Sequence, residues 1–195
     1  MLKLPVRVHV ISENGSLLDA DISNEEIYEL FQNANKVWKQ AEIEWQIESI
    51  QDFEFTNHND ITDFLNNPVD LEEGRKLLVN GVPEKDLLKN GWNVYIVGSL
   101  GPSGGVFLRE ISVVIFPVNG KFGLHPQILA HELGHSLGLN HVRPDGKNLM
   151  QGKPPKGTDE SLRDPTKANH LTKDQIEKAR KQAAKGRAYN ARRGK

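Results

Sequence analysis

The chain has 195 residues, enough for one domain with a sizeable core, and its 37% hydrophobic and 26% charged content excludes a disordered chain. It contains no cysteine, which removes disulfides, thiolate metal ligands and catalytic thiols from consideration. The formal net charge of −1 is unevenly spread: Lys178 to Lys195 holds eight basic and no acidic side chains, which leaves about −9 on residues 1–177.

In chain order, residues 4–11 alternate at period two and read as a half-buried strand. What precedes them is too polar and short for a signal-peptide core, so the general secretory route is unused or a leader has been removed. Glu13 to Ser16 forms a turn. Ser23 and Glu26 make a capping box, and behind it Ile27, Leu30, Phe31, Ala34, Val37, Trp38 and Ala41 recur at helical spacing. Ile43, Trp45 and Ile47 alternate with polar residues as a second strand. Asn66-Asn67-Pro68 and Asn80-Gly81-Val82-Pro83 cut residues 51–90 into two or three short helices. Trp92 to Val97 is a buried strand, Gly98 to Gly105 a glycine-rich loop, and Val106–Leu108 and Ser112–Phe116 two further strands. Pro126 opens a helix that carries Ile128, Leu129, Leu133 and Leu137 and ends at Gly138. After an irregular stretch from Val142 to Asn169, Thr172 and Gln175 form a capping box for a last helix near Lys173. No run approaches the roughly 18 apolar residues of a membrane helix.

One segment carries chemistry: His131-Glu-Leu-Gly-His135-Ser-Leu-Gly138-Leu-Asn-His141. Histidines four apart on a helix lie one above the other, so both rings can reach one metal ion. Glu132, one residue round the helix, can reach a water beside that ion without ligating it. A catalytic zinc site needs a third protein ligand and keeps its fourth position for water. Gly138 can adopt the left-handed conformation that turns the chain, so that His141 returns to the metal. His9, His58, His125 and His170 receive no ligand role.

These eleven residues resemble the extended zinc-binding motif of the metzincin metallopeptidases. Metzincins carry a methionine in a tight turn beneath the metal, and Met150, nine residues past His141, stands where that Met-turn belongs. The wording of residues 130–141 is closest to the matrixins, but residues 98–125 lack the His- and Asp-rich stretch of their structural zinc and calcium sites. The tyrosine that follows this methionine in astacins and serralysins is also absent, as is the Pro-x-Tyr wall of the matrixin pocket. The resemblance implies an α/β (α+β) fold with a twisted, mixed five-stranded sheet, two long helices above a cleft and an irregular lower part ending in a helix. Residues 1–185 then form one catalytic domain, split into an upper part to about 140 and a lower part from 141, and residues 186–195 form a basic tail.

The function expected is that of a zinc-dependent endopeptidase holding one ion on His131, His135 and His141, with Gly138 and Met150 supporting the site and Glu132 as general base, then acid. The alternative is a zinc-containing peptide-binding module that has lost catalysis. By the same resemblance the substrate lies extended and antiparallel along the edge strand at Val106–Leu108. The basic tail folds back on the acidic body, is solvated, or meets an acidic partner. A monomer is expected, and the resemblance favours an extracellular setting reached after leader removal or by non-classical export.

Overall fold

The computed structural model describes all residues except 14–15, 67–70, 102–103, 120–122, 153–165 and 191–195. The expectations for the turn at 13–16, the break at 66–68, the glycine-rich loop and the end of the tail therefore lie partly outside the described residues. Five strands form one sheet: β1 (Leu2–Ile11), β2 (Ile43–Phe53), β3 (Trp92–Val97), β4 (Val106–Leu108) and β5 (Val113–Pro117), in the order β2-β1-β3-β5-β4. All neighbours run parallel except β4, which pairs antiparallel with β5 and forms one edge. The mixed five-stranded sheet is thus as expected.

Alternation along the strands gives the sheet two buried faces. Trp92, Val94 and Ile96 of β3 and Val114 and Phe116 of β5 point into one cluster, while Tyr95, Val97, Val113 and Ile115 point into another. Burial on both sides explains why these strands are continuous apolar runs. The first face is covered by α1 (Asn24–Trp38) and α4 (Pro126–Ser136), and the second by α2 (His58–Asn66) and α3 (Leu71–Gly81). Among the described residues no helix is long and apolar enough to cross a membrane.

Helix α1 starts at the capping box read from sequence, with Glu26 N–H donating to Ser23 Oγ and Ser23 N–H donating back to the Glu26 carboxylate at 2.8 Å. Its apolar stripe is buried, and Trp38 Nε1 donates to the Ala130 carbonyl at 3.2 Å, which ties α1 to α4. Strand β2 runs to Phe53, well beyond Ile47. Val6 pairs with Ile47 but Arg7 with Ser49, so Glu48 bulges out and reverses the inward phase, which hid the rest of the strand from a period-two reading.

The last helix, α5 (Lys173–Ala183), carries its expected Thr172–Gln175 capping box. The same Gln175 amide exchanges hydrogen bonds with the Asn148 amide at 2.9 and 3.2 Å, joining α5 to the segment under the histidines. Residues 187–190, expected in the tail, instead pack on the domain. Ala188 is 5% exposed, Tyr189 lies against the core and its N–H donates to the Ser136 carbonyl at 2.7 Å. Helix α5 ends at Ala183, and Gly186, at φ 67°, turns the following chain back onto the domain.

Candidate metal centre

Helix α4 has proline in its first turn and ends after Ser136, and Gly138 takes φ 80°. That left-handed residue redirects the chain so that His141 approaches the helix face bearing His131 and His135. The three Nε2 atoms lie 3.0 to 3.1 Å from one another, an almost equilateral triangle. Four ligands held tetrahedrally at zinc–nitrogen bond lengths stand about 3.4 Å apart, so the triangle needs only slight opening.

The opposite ring nitrogens fix the tautomers. His131 Nδ1 lies 2.6 Å from the Leu149 carbonyl and His135 Nδ1 lies 2.8 Å from the Leu139 carbonyl. A carbonyl only accepts, so both Nδ1 atoms carry the proton and both Nε2 atoms present lone pairs to the same point. Burial, followed by the charge of His131, pushes His135 down to about 3, which keeps that ring neutral. Converging lone pairs repel each other unless a cation sits between them, so the donor set fits a divalent ion that prefers imidazole.

Glu132 belongs to the same helix and lines the same cavity as His135 and His141. It is 8% exposed, and burial pushes its carboxyl up to about 8 against the opposing effect of a hydrogen bond from the Phe107 N–H. Gly105 makes room for it, since a Cβ there would stand 2.8 Å from Glu132 Cγ.

Met150 is fully buried beneath α4, where a Cβ on Gly134 would come within 2.5 Å of its sulfur. Its segment closes on itself, with Val142 N–H donating to Met150 O and Gly152 N–H to Val142 O, each at 2.9 Å. Asn148 Oδ1 accepts the Met150 N–H at 2.9 Å, and this tight turn aims the Leu149 carbonyl at His131. All five residues singled out from sequence around the motif, together with Met150, therefore gather at one place.

Other contributors carried no sequence signal. The carbonyls of Leu139 and Leu149 act through the backbone, which any residue supplies. Gly152 lets His141 approach, because a Cβ there would be 3.1 Å from the histidine Cβ. A cavity of about 490 Å³ opens beside the histidines, and its far wall is β4 with Arg75 of α3 and the turn residues Arg109 and Glu110. Arg75 donates to both Glu110 carboxylate oxygens, at 2.7 and 3.3 Å, and to the Phe107 carbonyl at 3.3 Å. Phe107 thus turns both backbone groups away from β5, one toward Glu132 and one toward Arg75. The free edge where an extended peptide was expected to pair is engaged at its central residue.

The chain has a zinc-metallopeptidase-like fold. Among solved structures it is similar to archaemetzincin from Methanopyrus kandleri, with a TM-score of 0.55 and 11% identity over 93% of this chain and 96% of that one. Metalloproteinase-II from Bacteroides fragilis matches at TM-score 0.54 and 15% identity, over 93% of this chain and 53% of that chain. A chaperone–substrate complex matches at TM-score 0.54 and 14% identity, over 95% of this chain but only 35% of that chain. The chain therefore spans about a third to a half of the length of two of these structures. No protein-family model matches the sequence, and no curated protein matches it.

Proposed function

We propose that this protein is a zinc-dependent endopeptidase of the metzincin type, with Met150 as its Met-turn methionine. The observation that carries this reading is the convergence of three imidazole Nε2 atoms next to a buried carboxyl group, at the floor of an open cleft. His131, His135 and His141 would hold the ion. A bound zinc ion supplies positive charge and Lewis acidity, polarising the scissile carbonyl and bringing the pKa of water near 7.

The chain's own residues do the remaining work. Leu139 and Leu149 hold two rings in the tautomer that leaves Nε2 free. Phe107 N–H orients Glu132, whose carboxyl, pushed up by burial, would ionise beside a bound cation, take a proton from the attacking water and deliver it to the leaving amine nitrogen. An extended peptide pairing with β4 would use the outward groups of Phe107, taking its carbonyl from Arg75 and its N–H from Glu132 as the latter turns to the water.

The test is hydrolysis of denatured casein by the zinc-loaded protein, with and without chelator, beside Glu132→Ala. Activity should vanish with chelator, return with zinc, and fall at least ~10³-fold in the variant while zinc is retained. Stoichiometric zinc with no cleavage by the unaltered protein would reject the peptidase and favour the peptide-binding module.

A further inference from the structure

The cleft wall opposite the histidines contains two arginines, and their partners differ. Arg75 is committed: it holds both oxygens of Glu110 and the Phe107 carbonyl. Arg109 follows β4 directly, is half-buried in the same cavity, and makes one hydrogen bond, to Asn140 Oδ1 at 3.2 Å. Among the described residues it forms no ion pair. The adjacent Glu110 accepts from Arg75 at both carboxylate oxygens, at 2.7 and 3.3 Å. A guanidinium offers five donors, so four remain for a ligand, in the fork geometry that suits a carboxylate.

The setting sharpens the point. Residues 1–177 carry about −9 overall, so a cation facing the cleft is not part of a generally basic surface. Screening confines the repulsion from that acidic body to roughly 8–10 Å, whereas a group inside the cleft meets Arg109 directly. We infer that Arg109 is a specificity-determining residue that recognises a carboxylate on the substrate, close to the bond cleaved. The inference rests on the peptidase reading above. Arg109 lines the same cavity as Glu132, His135 and His141, so the carboxylate it meets belongs within a few residues of the scissile bond. An Asp or Glu side chain and a free C-terminus present the same chemistry.

The experiment uses the zinc-loaded full chain and peptides spanning a bond it cuts in casein. Each position within three residues of that bond is set in turn to Glu, Gln or Lys, in C-terminally amidated and free-acid forms. Glu should exceed Gln in kcat/KM by at least ~10-fold at one position of the amidated peptides, as a charge-assisted hydrogen bond in a half-buried site provides. Arg109→Glu should invert the order so that Lys exceeds Glu, and Arg109→Gln should bring the Glu/Gln ratio close to one. These ratios are internal to each protein, so a general loss of folding or activity does not move them. A preference seen only with the free-acid form would assign the carboxylate to the C-terminus. Cleavage with a Glu/Gln ratio near one at every position overturns the assignment of Arg109 alone. No cleavage of casein or of any peptide overturns it together with the peptidase reading.

Discussion

One wall of the cleft, α4 and the loop after it, draws its working groups from residues 131–152, whereas the opposite wall assembles Arg75 of α3, Phe107 of β4 and the turn residues Arg109 and Glu110. In the first wall each contact closes over a short chain distance. His135 meets a carbonyl four residues on, and His131 one eighteen residues on. In the second, Arg75 reaches Phe107 and Glu110 across more than thirty residues. The near wall is therefore set by local backbone geometry, and the far wall by how α3 packs on the second face of the sheet. Substitutions should separate them: damage to the near wall removes the metal or destabilises the fold, and damage to the far wall changes how substrate binds.

The largest effect expected is that of His141→Ala. It removes one of three converging nitrogens, and the ligand it removes sits on the exposed loop rather than on the helix. Loss of an outer-shell partner costs about 10–100-fold in metal affinity, so loss of a ligand should cost at least ~10³-fold. Elemental analysis after dialysis should find almost no zinc. Full retention would remove His141 from the ligand set and break the near wall as described.

Next comes Gly134→Val, which attacks the floor of the same wall. A Cβ at this position stands 2.5 Å from the Met150 sulfur and 3.5 Å from Trp38 Cζ2, and both side chains are fully buried. Overpacking of this kind costs about 3 kcal/mol, and valine offers little helix propensity in return. Thermal unfolding with chelator present, so that zinc binding does not contribute, should record the loss. An unchanged midpoint would mean that Met150 is not packed tightly beneath α4.

The same division between local and distant contacts governs what could be read from the sequence. The capping boxes at Ser23 and Thr172, the spacing of the three histidines and the glycine bend at 138 are local patterns, and the structure forms each of them. The five strands were visible because alternation or apolar runs mark them, except where the bulge at Glu48 reversed the phase of β2. The far wall was silent. Arg75 belongs to a short helix with no motif, and the engaged groups of Phe107 are backbone atoms, identical in every residue. Residues 187–190 were silent for a related reason. A lone alanine and a lone tyrosine after the glycine turn at 186 have no periodicity, and only their docking, with Tyr189 N–H on the Ser136 carbonyl, makes them part of the domain.

The smallest effect, and the one that best distinguishes the walls, should come from Arg75→Ala. The Arg75–Glu110 pair is partly exposed, with side chains 29% and 34% accessible, so its loss should cost no more than about 1 kcal/mol of stability. Zinc content should not change, because the Arg75 side chain donates to Glu110 and the Phe107 carbonyl and to none of the three histidines. Catalysis offers two opposed outcomes. In the β4 ladder the outward groups of Phe107 engage Glu132 and Arg75, so Val106 and Leu108 are the residues that bond β5. A peptide adding to this edge must then displace Arg75 from the Phe107 carbonyl. Without the guanidinium that competition ends, and kcat/KM should rise by about threefold, mainly through a lower KM. If Arg75 instead serves to hold β4 and its turn in place through Glu110, kcat/KM should fall and kcat should fall with it. A fall would move Arg75 from competitor to scaffold, and the far wall would then be as dependent on fixed geometry as the near one.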